Sequence, residues 1–171
     1  ATSASDSLAI IKQQLSGWGK LALPLGIRVA SALAATADQA SREGTTVIDQ
    51  LKSFASYFSL DIPNGFLDST FPIKEWQNFL HALKQTAGST QLALCFPPDS
   101  NFGSSDRLIA VALDLNITTV VIGGGVQIDS GQREIGASTL QISFQMIQHL
   151  RQRWNKQITL IGSGGIHSGA D

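Results

Sequence analysis

Apolar and polar positions alternate along the chain on two different periods. Five short apolar runs stand out: Leu23–Val29, Tyr57–Ile62, Gln91–Phe96, Thr118–Gly123 and Ile158–Ser163. Each is continuous rather than strictly alternating, which predicts parallel strands covered on both faces. Pro24 falls near the start of the first run, where a missing N–H is tolerated. Between the runs, apolar residues recur at about 3.6-residue spacing, as on one face of a helix. Leu8, Ile11, Leu15 and Trp18 mark a helix over Ser7–Ser16, and Val47, Ile48, Leu51, Phe54 and Ala55 mark one over Thr45–Ser56. Ile73, Trp76, Phe79, Leu80 and Leu83 mark a helix over Ile73–Thr86, with Pro72 at its start. Two more are expected over Asp106–Leu115 and Thr139–Arg153. Trp76 and Met146 sit on these apolar stripes and are expected to fill the core. The Ala-rich stretch Ala30–Ala40 extends a loop or begins a helix.

Strand–helix alternation of this kind defines an α/β fold with a parallel sheet and right-handed crossovers. The units are not visibly similar, and no low-complexity linker divides them, so residues 1–171 read as a single β/α domain. Five strands do not close an eight-stranded barrel, which takes about 250 residues. The domain is therefore expected to be partial, completed by a missing segment or a protein partner. Ala1 in place of an initiating Met fits a processing scar or the start of a fragment.

Composition narrows the function classes. With 43% hydrophobic and 15% charged residues, the chain can build a core. The net charge of −1 and the lack of a basic patch give nucleic-acid binding no electrostatic support. Arg151, Arg153 and Lys156 cluster at the end of a helix, where cations meet the negative end of its dipole. The single Cys95 rules out an internal disulfide framework, and no apolar run is long enough for a transmembrane segment. A cytoplasmic or organellar (stroma or matrix) location is expected rather than a disulfide-rich secreted one.

Chemistry in parallel α/β folds gathers at the C-terminal ends of strands. The last strand runs into Gly162-Ser163-Gly164-Gly165-Ile166-His167-Ser168-Gly169, whose glycines let backbone N–H groups approach an anion. A phosphate site and a plain strand-to-helix turn both fit this motif, and His167 could contact an anion there. Gly123-Gly124-Gly125 leaves room for a flat ligand or serves as a flexible turn. Asp61, at the end of the second run, is the candidate for a polar role toward a substrate, or it caps a turn. Asp99 is expected to shape a loop and Cys95 to be a buried small hydrophobe. His81 and His149 belong on a surface or a packing seam. No His or Cys pair has metal-ligand spacing.

The order of these motifs resembles the dihydroorotate dehydrogenase family, whose members are FMN-binding (β/α)8 (TIM) barrels of pyrimidine biosynthesis. The resemblance rests on Leu23-Pro24-Leu25-Gly26-Ile27, Ala55-Ser56-Tyr57-Phe58, Pro63-Asn64, Pro98-Asp99, Gly136 with Ser143, and Ile161-Gly162-Ser163-Gly164-Gly165-Ile166 with Ser168-Gly169. It implies an FMN phosphate held by Gly136, Gly164 and Gly165, with Ser163, Ser168 and Gly124 lining the site. The family's chemical side chains do not carry over. Arg28 stands where the resemblance implies a flavin-contacting Asn, Asp61 where it implies another Asn, Cys95 where it implies a Lys, and Gly124 where it implies a substrate-binding Asn. The Ser pair before Pro63 is shortened to Ile62. Three functions remain open: a flavin- or phosphate-binding oxidoreductase-like barrel with a degenerate active site, a non-catalytic structural or interaction subunit, and another phosphate-binding barrel enzyme using Asp61.

Overall fold

The computed structural model describes residues 4–18, 23–30, 36–127 and 133–163. In chain order the elements are α1 (Ala4–Gly17), β1 (Gly26–Ala30), α2 (Ala37–Leu51), β2 (Tyr57–Asp61), α3 (Ile73–Ala87), β3 (Gln91–Phe96), α4 (Phe102–Asp114), β4 (Thr119–Ile122), β5 (Val126–Gln127), β6 (Arg133–Glu134), α5 (Leu140–Trp154) and β7 (Thr159–Gly162). The five longer strands form one parallel sheet in the order β1-β2-β3-β4-β7. Sequential order with right-handed crossovers puts every connecting helix on the same face of the sheet. That is the arrangement of a barrel wall; a doubly wound sheet reverses its strand order and carries helices on both faces.

Burial follows from this one-sided cover. Val29, Leu60, Leu94 and Val120 face the helices and are buried, joining Ile48, Leu51, Trp76, Leu80, Leu83, Leu108, Ile109 and Met146. A large apolar side chain removed fully from water contributes about 1.5–3 kcal/mol, so this layer dominates the stability of the sheet. On the opposite face, register aligns Ala30, Asp61, Cys95, Val121 and Ile161 in one row across the five strands. Among the described strands, β3 at the centre of the sheet is the one buried on both faces. The other strands alternate or are largely exposed, contrary to the expectation from their continuous apolar runs.

Local chemistry sets the ends of the helices. Thr36 accepts a hydrogen bond from the Gln39 amide and starts α2. The helix therefore begins within the Ala-rich stretch and stops at Leu51, where Thr45–Ser56 was expected. Asn101 caps α4 through the Ser104 amide at 3.0 Å, and Gly88 ends α3 with φ of +59°. Strand β1 begins at Gly26, so Pro24 lies ahead of it rather than within it. The short antiparallel pair β5–β6 was not expected. Arg151 donates to the Asn155 carbonyl at 2.7 Å, satisfying an acceptor at the C-terminal end of α5. Among the described residues, no helix is long and apolar enough to cross a membrane.

Candidate functional site at the C-terminal ends of the strands

Each helix returns antiparallel to its strands, so the entrance of α5 lies at the same end of the sheet as the C-termini of β1, β2, β3, β4 and β7. This mouth brings together Arg28, Asp61, Cys95, Gly123–Gly125, Gly136 and Ser163. Asp61 is neither isolated nor a turn cap: Arg28 Nε donates to its two carboxylate oxygens at 2.7 and 2.9 Å. The pair spans neighbouring strands, because Ala30, two residues beyond Arg28, is the register partner of Asp61. The Asp61 hydrogen bond raises the Arg28 pKa above its ordinary value, partial burial opposes this, and the charges of Asp61 and Cys95 add to the rise. Arg28 therefore stays cationic at any working pH. Cys95, the register partner of Asp61 on β3, is buried and forms no disulfide.

Glycines shape the other side of the mouth. At Gly123 a Cβ would lie 3.0 Å from the Ser163 Cβ, so the turn after β4 and the end of β7 are in close approach. The Ser163 amide donates to the Ile122 carbonyl at 2.8 Å, which extends the β4–β7 ladder. Gly124 has φ of +91°, and a Cβ there would meet Arg28 Nη2 at 3.4 Å. Gly125 is different: a Cβ there would overlap the Glu134 carbonyl, so protein fills that space. Gly136 has φ of +114°, and among the described residues nothing lies within 4 Å of its Cβ position. Its carbonyl accepts from the Thr139 amide at 3.1 Å and the Thr139 hydroxyl at 2.9 Å. Ser143, one turn further along, is buried and donates back to the Thr139 carbonyl. Gly164, Gly165, His167 and Ser168 lie outside the described residues.

The loop after β2 borders the mouth and is tightly packed. Phe66 stacks on Phe71 at 4.5 Å and meets Phe79 edge-on at 5.4 Å. Trp76 is fully buried and donates to the Phe66 carbonyl at 3.0 Å, while the Arg107 guanidinium lies 5.1 Å from its ring. Asp99 accepts from the Gln127 amide at 2.8 Å, tying the loop after β3 to β5, a loop-shaping role as expected. His81 is exposed, and His149 lies at the α4–α5 seam, 3.0 Å from Asp106. Trp154 Nε1 donates to the other oxygen of Asp106 at 2.8 Å. Among the described residues no group of three His, Cys, Asp or Glu could hold a metal ion.

Arg28 was legible as a strand-end residue and as a departure from a family pattern, but not as the partner of Asp61. Its signal was present: it is the one charged residue in the run Leu23–Ala30, and a charge in an apolar strand calls for a partner.

A one-sided parallel sheet, with helices returning outside it and polar groups at its C-terminal ends, is a segment of a β/α barrel wall. More particularly, the chain has a dihydroorotate dehydrogenase-like fold. It superposes on a ligand-free dihydroorotate dehydrogenase from Eimeria tenella with a TM-score of 0.76 at 14% identity, covering 95% of this chain and 55% of that one. The enzyme of the same organism in complex with ferulenol gives a TM-score of 0.68 at 15% identity, covering 95% and 54%. The chain thus spans about half the length of the solved structures it matches. No protein-family model and no curated protein matches the sequence.

Proposed function

We propose that this chain is part of a dihydroorotate dehydrogenase-like barrel that binds a phosphate-bearing ligand, FMN foremost, at the C-terminal ends of its strands without oxidising dihydroorotate. The observation that carries the ligand is Gly136, at the entrance of α5, whose φ of +114° favours glycine and whose Cβ direction meets no atom of the described residues within 4 Å. Backbone N–H groups at such an entrance suit an oxyanion. Ser163 and the glycine turn after β4 approach the same end, and Gly164, Gly165 and Ser168 follow Ser163 directly in sequence. Gly136 and Ser163, with the glycines that follow in sequence, would hold the phosphate end of FMN, and Gly124 would leave room for its flat ring. Bound FMN would supply a two-electron redox centre.

The other end of the site argues against the parent reaction. The buried Cys95 thiol brings no lysine-like cation, and Gly124 brings no amide to hold a substrate. Loss of a positioned general base lowers rates by about 10²–10⁴. Asp61 is held by Arg28 rather than poised toward a substrate proton, which also weakens the reading of another barrel enzyme using Asp61 as acid or base. These replacements favour one rival, a non-catalytic structural subunit completed by a protein partner.

Titration with FMN and with riboflavin, followed by quenching of flavin fluorescence, tests the phosphate cradle. FMN should bind at least about tenfold more tightly than riboflavin, because charge-assisted hydrogen bonds to the phosphate are the stronger ones. Equal weak binding of both, or none, would leave the structural subunit as the better reading.

A further inference from the structure

We infer that the outer face of α5 is a weak self-association surface, on which a second copy of this chain packs its own α5 antiparallel about a two-fold axis. This face lies on the outside of the sheet, away from the strand ends, and the inference does not rest on the ligand reading above.

The chemistry of the face sets it apart. Gln141, Gln145, Gln148 and Gln152 fall four, three and four residues apart, which places them in one stripe along the helix. All four are exposed, and among the described residues none of their amides has a hydrogen-bond partner. A helix face left in water ordinarily carries charged side chains, whereas charge is depleted at the centre of an interface. Helix α5 holds no acidic residue, and its cations Arg151 and Arg153 lie in the last turn, off the stripe. Arg151 is turned back onto the Asn155 carbonyl at 2.7 Å. Beside the stripe, a groove of about 300 Å³ between α4 and α5 is lined by Phe102, His149 and three of the glutamines. Phe102 stacks on His149 with ring centroids 4.3 Å apart, yet it stays 42% exposed.

Symmetry selects a second copy as the occupant. A spacing of four, three and four reads the same in both directions, with its centre between Met146 and Ile147. A two-fold axis at that centre sets Gln145 opposite the partner's Gln148, and Gln141 opposite the partner's Gln152. Each amide both donates and accepts, so like pairs with like and no charge needs balancing. The same rotation lays one α4–α5 groove against the other, and the two Phe102 rings cover each other. Antiparallel packing also sets the C-terminus of each helix near the N-terminus of the other, which favours their dipoles. The two Arg151 backbones end about 13 Å apart along the axis, beyond the screening length of about 8 Å at physiological salt. A face about 22 Å long and about 20 Å wide covers on the order of 400 Å² per copy. That is at the low end for a specific contact, so the dimer is reversible and concentration-dependent.

The test is sedimentation velocity of the full chain from about 10 µM to about 1 mM, the range in which a contact of this size associates. The sedimentation coefficient should rise with concentration as monomer gives way to dimer. Gln145→Glu combined with Gln148→Glu sets like charges opposite each other and should weaken association at least about tenfold, and so should Gln145→Lys with Gln148→Lys. Each variant should keep the circular dichroism of the unsubstituted chain, because the positions are exposed. An equimolar mixture of the two variants should associate again, more tightly at low salt than at high, because acid then meets base across the axis. Gln77→Glu with Gln85→Glu adds the same charge to exposed positions on α3 and should leave the wild-type association unchanged. A chain that stays monomeric at every concentration, a dimer that survives both α5 double substitutions, or folded variants whose mixture does not associate would each overturn the proposal.

Discussion

Replacing Trp76 with Phe tests whether the loop after β2 is a fixed wall of the site. Trp76 is fully buried beneath Arg107, and its indole N–H is the donor to the Phe66 carbonyl. The substitution leaves that buried carbonyl without its donor, which costs about 1–3 kcal/mol. The smaller ring also leaves a void and weakens the cation–π contact, adding about 1 kcal/mol. Phe71, stacked at 5.6 Å, and the Arg107 bonds to the Ser69 and Phe71 carbonyls persist and limit the loss. The expected destabilisation is about 2–4 kcal/mol, read as a lower urea midpoint at unchanged slope. A change below about 0.5 kcal/mol would refute the reasoning, because it would mean that the loop does not depend on this hydrogen bond.

Other substitutions probe different parts of the fold. Ser104 and Ser105 are buried in the first turn of α4 with hydroxyls that have no hydrogen-bond partner among the described residues, so Ser105→Ala should be neutral or stabilising by up to about 1 kcal/mol in the same urea assay. Gly136→Ala should cost about 1–3 kcal/mol from backbone strain alone, whereas Gly125→Ala should cost more because its Cβ meets the Glu134 carbonyl. Removing Asp106 by Asp106→Ala leaves both Trp154 and His149 without their acceptor, and a loss of about 1–3 kcal/mol should appear in thermal unfolding. Asp68 is held below the usual carboxylate range by the Thr70 hydroxyl and amide. Its contribution is present above its unfolded pKa and lost as pH falls through the lowered folded value, so Thr70→Val should flatten acid destabilisation in that window.

Much of the fold was legible because the strongest signals were local. Strand β3 matches its apolar run end to end, and α3 was marked by Pro72 and a clear stripe through Trp76, Phe79, Leu80 and Leu83. The start of α2 was missed because its first turns, from Ala37 to Glu43, carry small and polar residues with no stripe, while a single threonine cap fixes the boundary. The far end was overextended because Phe54 and Ala55 pack on the core from a turn rather than from the helix. Two-residue strands such as β5 and β6 are too short to show a period. One-sided burial of the sheet depends on where helices pack, which the composition of a single strand does not encode. At the site, glycines and Asp61 could be picked out by type and position. The Arg28–Asp61 pair could not, since it joins residues 33 apart through strand register rather than through a motif.

The measurement closest to the central claim is the visible absorption spectrum of the natural full-length protein, purified without added flavin, with release and quantitation of any bound cofactor. A flavin spectrum with about one FMN per chain is the predicted result and would place a working phosphate cradle at the strand ends. A colourless protein that also takes up no added FMN would contradict it.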